Sequence, residues 1–200
     1  DYEQIEHIDE DFIISNARLV ERNKPVVVLS PFPTEYQMEQ LGKLVLVDRT
    51  RPYMLEKFFD RQHFMILDEP MTQAQLFRKI CTQLEGEGYV DEAFYPSVVE
   101  REEIVSTMLG EGIALPHSLG LLAKKTVVIT VLSRQGIKWG EGETAHVIFL
   151  LAISKADYEE AMAIYDLFVT FVRERSMSRL LTSRNFDSFK AMAIDCLSRI

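Results

Sequence analysis

The sequence predicts an α/β fold with α+β character: a mixed β-sheet sandwiched between helices over residues 61–200, preceded by a partial α/β unit over residues 1–47. Three observations lead there. The β-branched runs TVVITVL (126–132) and HVIFLLAI (146–153) are the two clearest strands in the chain. Ile164, Leu167, Phe168, Phe171 and Val172 follow the i, i+3, i+4, i+7, i+8 spacing of an amphipathic helix. From about residue 60 the elements read β-α-α-β-β-β-α-α-α, and this partial segregation favours a mixed sheet over a doubly wound parallel one.

In chain order, FIIS (12–15) and PVVVLS (25–30) are short strands. Thr34 is placed to cap a helix with Met38, Leu41, Leu44 and Val45 at helical spacing. Two strands and a helix cannot close a core, so this start reads as the later half of an α/β unit. The chain also begins without Met, which points to a piece of something longer. Residues 48–60, dense in charge around a few large apolar side chains, are expected to be a linker or linking helix. His63–Leu67 opens a second unit as a strand. Thr72 and Gln75 form a capping-box pair, and Leu76, Ile80 and Leu84 mark the inner face of a helix that stops at Gly86 and Gly88.

A further helix is expected from Asp91 to about Glu102, with Phe94 and Val98 inward and Pro96 in its first turn. Residues 103–112 are expected to be a loop ending in Gly110 and Gly112. Ile113–Leu115 is a short apolar run that Pro116 confines to a strand end, which sets His117 at a rim. SRQGIKWGEGETA, between the two long strands, reads as a turn-rich connection or short hairpin. A helix over about 156–174, a shorter one near 176–182 and one from Asp187 onward complete the chain.

Composition excludes several function classes. With 22 Lys and Arg against 31 Asp and Glu, a formal net charge of −9, the chain lacks the cationic surface that displaces counterions from nucleic acid. Cys81 and Cys196 stand in no CxxC or metal-ligand spacing and are expected to be buried, reduced thiols, as in a cytoplasmic protein. No apolar run approaches a membrane span, and the acidic start DYEQIEHIDED lacks the basic region of a signal peptide. His7 and His63 are read as structural or solvated, Trp139 as a packing anchor, and Glu141 and Glu143 as a solvated turn. The stripe Tyr165, Phe168, Phe171 is most simply core; part of it could instead belong to a docking patch.

The stretch from Phe94 to Ser118 carries the chemistry. It sets Arg101-Glu102 near a helix end, then Ser106-Thr107, two glycines, an apolar run and Pro116-His117. A neutral imidazole is nucleophilic near pH 7, and a nearby arginine and hydroxyls can orient and neutralise a phosphoryl dianion. A lone histidine beside an apolar strand is more often structural; the constellation with Arg101 and Thr107 reverses that for His117.

These residues, with Gly112-Ile113-Ala114-Leu115-Pro116-His117, resemble the IIA domains of the mannitol/fructose type in the bacterial phosphoenolpyruvate:sugar phosphotransferase system, over roughly residues 60–200. Residues 1–47 resemble the later half of a galactitol-type IIB-like domain without its cysteine loop. A IIB-like piece followed by a IIA domain is the tail arrangement of transcriptional activators and antiterminators of the mannitol- and lichenan-operon type. The resemblance implies that His117 accepts a phosphoryl group from phospho-HPr, with Arg101 and Thr107 beside it and no cofactor or metal. It implies regulation rather than turnover as an enzyme. Implied partners are HPr and IIB or other regulatory domains of the same chain, with a homodimer left open. Transport-type domains carry a second histidine, which Ile153–Leu167 lacks, and Ser118 replaces the usual glycine. A transport phosphocarrier and an unphosphorylated interaction module stay as alternatives.

Overall fold

The computed structural model describes residues 13–15, 26–30, 32–35, 37–38, 53–140 and 142–197. The chain divides into two compact units, residues 1–49 and residues 50–199.

In the first unit, β1 (Ile13–Ser15) pairs in parallel with β2 (Val26–Val28), Ile13 opposite Val26. Both strands coincide with the β-branched runs. Thr34 Oγ1 accepts the N–H of Gln37 at 3.2 Å, and the Gln37 side chain accepts the N–H of Thr34 at 3.0 Å. This reciprocal cap starts the helical residues at 35. His7, Leu41, Leu44 and Val45 lie outside the described residues.

The second unit is built on a five-stranded sheet of order β3-β6-β7-β5-β4. Its strands are β3 (Phe64–Leu67), β4 (Met108–Gly110), β5 (Ile113–Ala114), β6 (Val127–Trp139) and β7 (Glu143–Ala152). β3 runs parallel to β6 and β5 parallel to β7, whereas β6 with β7 and β4 with β5 are antiparallel, so the sheet is mixed. Helices cover both faces. On one side pack α2 (Gln73–Gly86) and α3 (Phe94–Ile104); on the other pack α1 (residues 53–58), α4 (Tyr158–Arg173), α5 (Met177–Leu180) and α6 (Phe186–Leu197).

Burial on both faces explains why the central strands read as continuous apolar runs rather than alternating ones. In β7, Val147, Phe149 and Leu151 join one core, while Ile148, Leu150 and Ala152 join the other. Phe149 stands amid Phe168 (ring centroids 4.7 Å), Phe171 (5.8 Å), Phe59 (6.1 Å) and Phe189 (6.2 Å). Thr72 and Gln75 close the capping box of α2, and Leu76, Ile80 and Leu84 are fully buried. Trp139 is buried against Phe77, at 5.5 Å between ring centroids. Cys81 and Cys196 are buried and unbonded. Among the described residues no helix is long and apolar enough to cross a membrane.

The structure refines three local expectations. Residues 48–60, expected as a linker or linking helix, contain α1, whose Met54, Leu55 and Phe58 are buried with Phe59 in the core of the second unit. Their high charge masked an apolar face that the sheet covers. Residues 103–112, expected as a loop, contain β4, which returns on β5 through Glu111 and Gly112, both at positive φ (49° and 74°). A tight two-residue hairpin of this kind favours glycine. The hairpin between the long strands is itself mostly strand: β6 and β7 run on to Trp139 and from Glu143, with Gly140 and Gly142 in turn conformation and a register break between Leu132 and Ile137. Gly136 sits in that break at φ 77°, where an added Cβ would lie 2.3 Å from Thr144 Cγ2.

Candidate functional site

β5 ends beside β7, and His117 continues the pairing as a parallel bridge to Leu151. Leu151 N–H donates to the carbonyl of Pro116 at 2.9 Å. Just beyond, Leu119 N–H donates to Ser97 Oγ on α3 at 3.0 Å, and the Ser118 hydroxyl donates to the Gly120 carbonyl at 2.6 Å. The backbone around the histidine is therefore tied to both the sheet and α3. Ser118 serves the turn that follows rather than the ring.

The imidazole is fixed at both nitrogens. Nδ1 lies 2.8 Å from the carbonyl oxygen of Leu115. A carbonyl only accepts, so Nδ1 carries the hydrogen and Nε2 of the neutral ring keeps its lone pair. Arg101 Nε–H donates to that Nε2 at 3.2 Å. Burial pushes the ring below the ordinary histidine pKa; the Leu115 carbonyl opposes this, Arg101 adds to it, Glu102 opposes it, and the balance is downward. His117 is thus a half-buried ring whose Nε2 lone pair faces Arg101 and whose pKa lies below the ordinary histidine value.

Arg101 reaches the ring from the last turn of α3. Its Nη1–H donates to the Val105 carbonyl at 2.8 Å, which orients the guanidinium toward His117. Neither Glu100 nor Glu103 is needed to hold it. Thr107 is bonded locally. Its N–H donates to Glu102 Oε1 at 3.1 Å and its hydroxyl donates to Glu102 Oε2. Its carbonyl accepts the N–H of Leu115 at 2.9 Å. Glu102, Thr107 and Leu115 form a chain that fixes the residue whose carbonyl sets the tautomer of His117.

A pocket of about 370 Å³ opens beside the ring, with walls that include Leu119, Leu121, Ile153, Met162 and Tyr165. Leu119, Leu121 and Met162 are exposed around its mouth. The Tyr165 ring meets the His117 ring edge to face, centroids 6.4 Å apart at 89°.

The other histidines stand apart from this group. His146 Nδ1 donates to the Ser133 carbonyl at 3.0 Å. It precedes Leu151 by five residues along β7, roughly 16 Å of strand, so it does not supply a second histidine at His117. His63 is buried between Asp60, at 2.8 Å from Nδ1, and Glu87, at 2.6 Å from Nε2. Glu143 is exposed and Glu141 lies outside the described residues. Among the described residues no three His, Cys, Asp or Glu side chains gather as a metal site.

Sequence reasoning brought Arg101 and His117 together and missed four partners. The Leu115 carbonyl is backbone and leaves no residue-type signal. Ser97 meets the histidine loop only through the fold. Glu102 stands next to Arg101 in sequence, but its role depends on a loop that returns Thr107 to it. Tyr165 was hidden within a helical apolar stripe.

The family profile of the phosphoenolpyruvate-dependent sugar phosphotransferase system, EIIA 2, matches residues 57–194. The chain belongs to this family. Among relatives of this EIIA type-2 domain, the transcriptional regulator ManR of Bacillus subtilis is 26% identical over 166 residues, covering 76% of this chain and 24% of the regulator. The chain therefore spans about a quarter of that protein. The mannitol-specific phosphotransferase enzyme IIA component of Staphylococcus aureus is 26% identical over 141 residues, covering 68% of this chain and 94% of that component. Among solved structures, the crystal structure of IIA mannitol from Escherichia coli superposes with a TM-score of 0.56 at 23% identity, over 67% of this chain and 97% of that one. The complex of IIA mannitol with phosphorylated IIB mannitol from the same organism gives a TM-score of 0.58 at 22% identity, over 69% and 99% of the two chains. These likenesses establish the fold: a mixed sheet between helices, as in mannitol-type IIA structures.

Proposed function

We propose that His117 of this EIIA type-2 domain accepts a phosphoryl group on Nε2 from a phosphohistidine carrier of the HPr type, and that the domain is a cytoplasmic regulatory part of a sugar-responsive transcriptional regulator. The observation that carries the reading is the pairing of the two ring nitrogens: Nδ1–H on the Leu115 carbonyl and Nε2 under the Arg101 guanidinium. In the transfer, the Nε2 lone pair forms the new N–P bond as the donor's N–P bond breaks and its electron pair returns to the donor imidazole. The hydrogen stays on Nδ1, hydrogen-bonded to the Leu115 carbonyl, throughout, and the donor ring leaves as a neutral imidazole by keeping a proton on its other nitrogen. Arg101 stabilises the charge on the phosphoryl oxygens as it moves. No metal or cofactor has a part in this step.

Regulation is favoured over onward transport by the match to ManR and by the absence of a histidine in Ile153–Leu167. A phosphoryl group adds close to two negative charges to a neutral rim, enough to alter its packing against neighbouring regulatory domains. Residues 1–47 are read as the IIB-like piece before it. The match over 94% of a mannitol IIA component supports the transport phosphocarrier as a second reading.

The test is labelled phosphate passed from phosphoenolpyruvate through enzyme I and HPr to this chain, with wild type beside His117→Ala. Acid-labile label on the wild type that disappears in the variant is the expected result. Failure to hand that label to a IIB domain separates regulation from transport, and no label on a folded wild type would refute phosphoacceptance.

A further inference from the structure

The pocket beside His117 has one wall whose chemistry phosphoacceptance by His117 and Arg101 does not use. Tyr165 follows Tyr158 and Met162 on the pocket-facing side of α4. Of the stripe read as core or in part as a docking patch, Phe168 and Phe171 are fully buried and Tyr165 is half-buried at the pocket wall. Its ring stands perpendicular to that of His117, with centroids 6.4 Å apart. Among the described residues its hydroxyl makes no hydrogen bond.

The pocket that His117 lines is walled mainly by Leu119, Leu121, Ile153 and Met162, with the exposed Tyr158 as the other phenol in its lining. A dianion in such surroundings needs donors for its oxygens, because water is partly displaced and aliphatic walls offer none. Arg101 faces Nε2 from the α3 side and supplies charge. Tyr165 lies on α4 and is the pocket-lining side chain seen in ring contact with His117. We propose that Tyr165 is a phosphoryl-binding residue of this domain, donating its phenolic hydrogen to a phosphoryl oxygen once the group is on His117. The hydroxyl keeps its proton and shares it as a hydrogen bond; no proton is transferred. Burial pushes the phenol up, the neighbouring Tyr158 adds to this and Arg101 opposes it, so the donor form persists at neutral pH. The role rests on phosphoacceptance by His117. It offers the domain a way to retain its phosphoryl group where transport-type domains have a second histidine.

The experiment is the equilibrium partition of labelled phosphate between phospho-HPr and this chain for wild type, Tyr165→Phe and Tyr165→Gln. Tyr165→Phe keeps the ring and its packing and removes the donor; it should lower the partition toward this chain about tenfold. Tyr165→Gln removes the ring and keeps a donor, and should recover part of the loss. As a second reading, the proteins are phosphorylated with phosphoramidate, a small donor that needs no docking. The ³¹P resonance of the phosphohistidine should then differ between wild type and Tyr165→Phe. A Tyr165→Phe protein with wild-type partition and an unmoved ³¹P resonance overturns the role of Tyr165 while leaving His117 as acceptor. A wild type that takes phosphate from neither donor overturns both.

Discussion

Arg101 Nε–H donates to His117 Nε2 at 3.2 Å, while the same guanidinium donates through Nη1 to the Val105 carbonyl at 2.8 Å. The planar fork is thus aimed before any phosphoryl group arrives. A lysine cannot hold both directions with one ammonium. Arg101→Lys should fold normally and accept phosphate from HPr about a hundredfold more slowly, the scale of losing one preorganised donor. Quenched-flow labelling checks this, and an unchanged rate would remove Arg101 from the site.

The pH dependence follows from burial of His117. Its pKa is held below the ordinary 6.5, so the ring stays neutral and nucleophilic further into acid than a free imidazole. The transfer rate should be level through neutral pH and begin to fall only below 6.5. Stability moves the same way. Above the unfolded pKa neither state binds the proton; below it the unfolded chain binds first, so stability drops as the pH falls through the window down to the folded value. Urea melts across that window should show this slope in wild type and a shallower one in His117→Gln.

Thr107 is separable from the chemistry. Its hydroxyl donates to Glu102, and the pair braces the backbone of Leu115. Thr107→Val should lower stability by about 1.5–3 kcal/mol, the scale of losing a hydrogen bond to a charged group, and still allow His117 to be labelled. Loss of labelling in a folded Thr107→Val protein would return the hydroxyl to the phosphoryl group.

His63 forms a structural clasp far from this chemistry in function. Its buried ring joins Asp60, just before β3, to Glu87 at the end of α2. Burial raises the Glu87 carboxyl, but hydrogen bonds from Gln83 and His63 outweigh it, and the carboxyl titrates below its usual value. This contribution is present above the unfolded carboxylate pKa and is lost as the pH falls through the folded one. His63→Ala should cost about 2–3 kcal/mol in denaturant melts and leave phosphate acceptance intact.

Much of the fold was legible because its signals are local. The capping box at Thr72, the helical stripe from Ile164 to Phe171 and the apolar runs of β6 and β7 each depend on spacing within one element. What was not legible depends on return of the chain. β4 was hidden because its pairing rests on a two-residue turn at Glu111-Gly112. The apolar face of α1 was hidden among charges until Phe58 and Phe59 met the sheet. In the site, Arg101 and His117 could be named from residue type and order, whereas the brace from Glu102 through Thr107 to the Leu115 carbonyl could not.

The central claim is that Nε2 of His117 is the atom that takes the phosphoryl group. The most direct measurement is a ¹H–¹⁵N correlation spectrum of the protein labelled with ¹⁵N at histidine, recorded before and after phosphorylation by HPr. The account predicts that Nδ1 keeps its hydrogen and that Nε2 of His117 becomes the substituted nitrogen. Substitution at Nδ1, or on any other histidine, would contradict it.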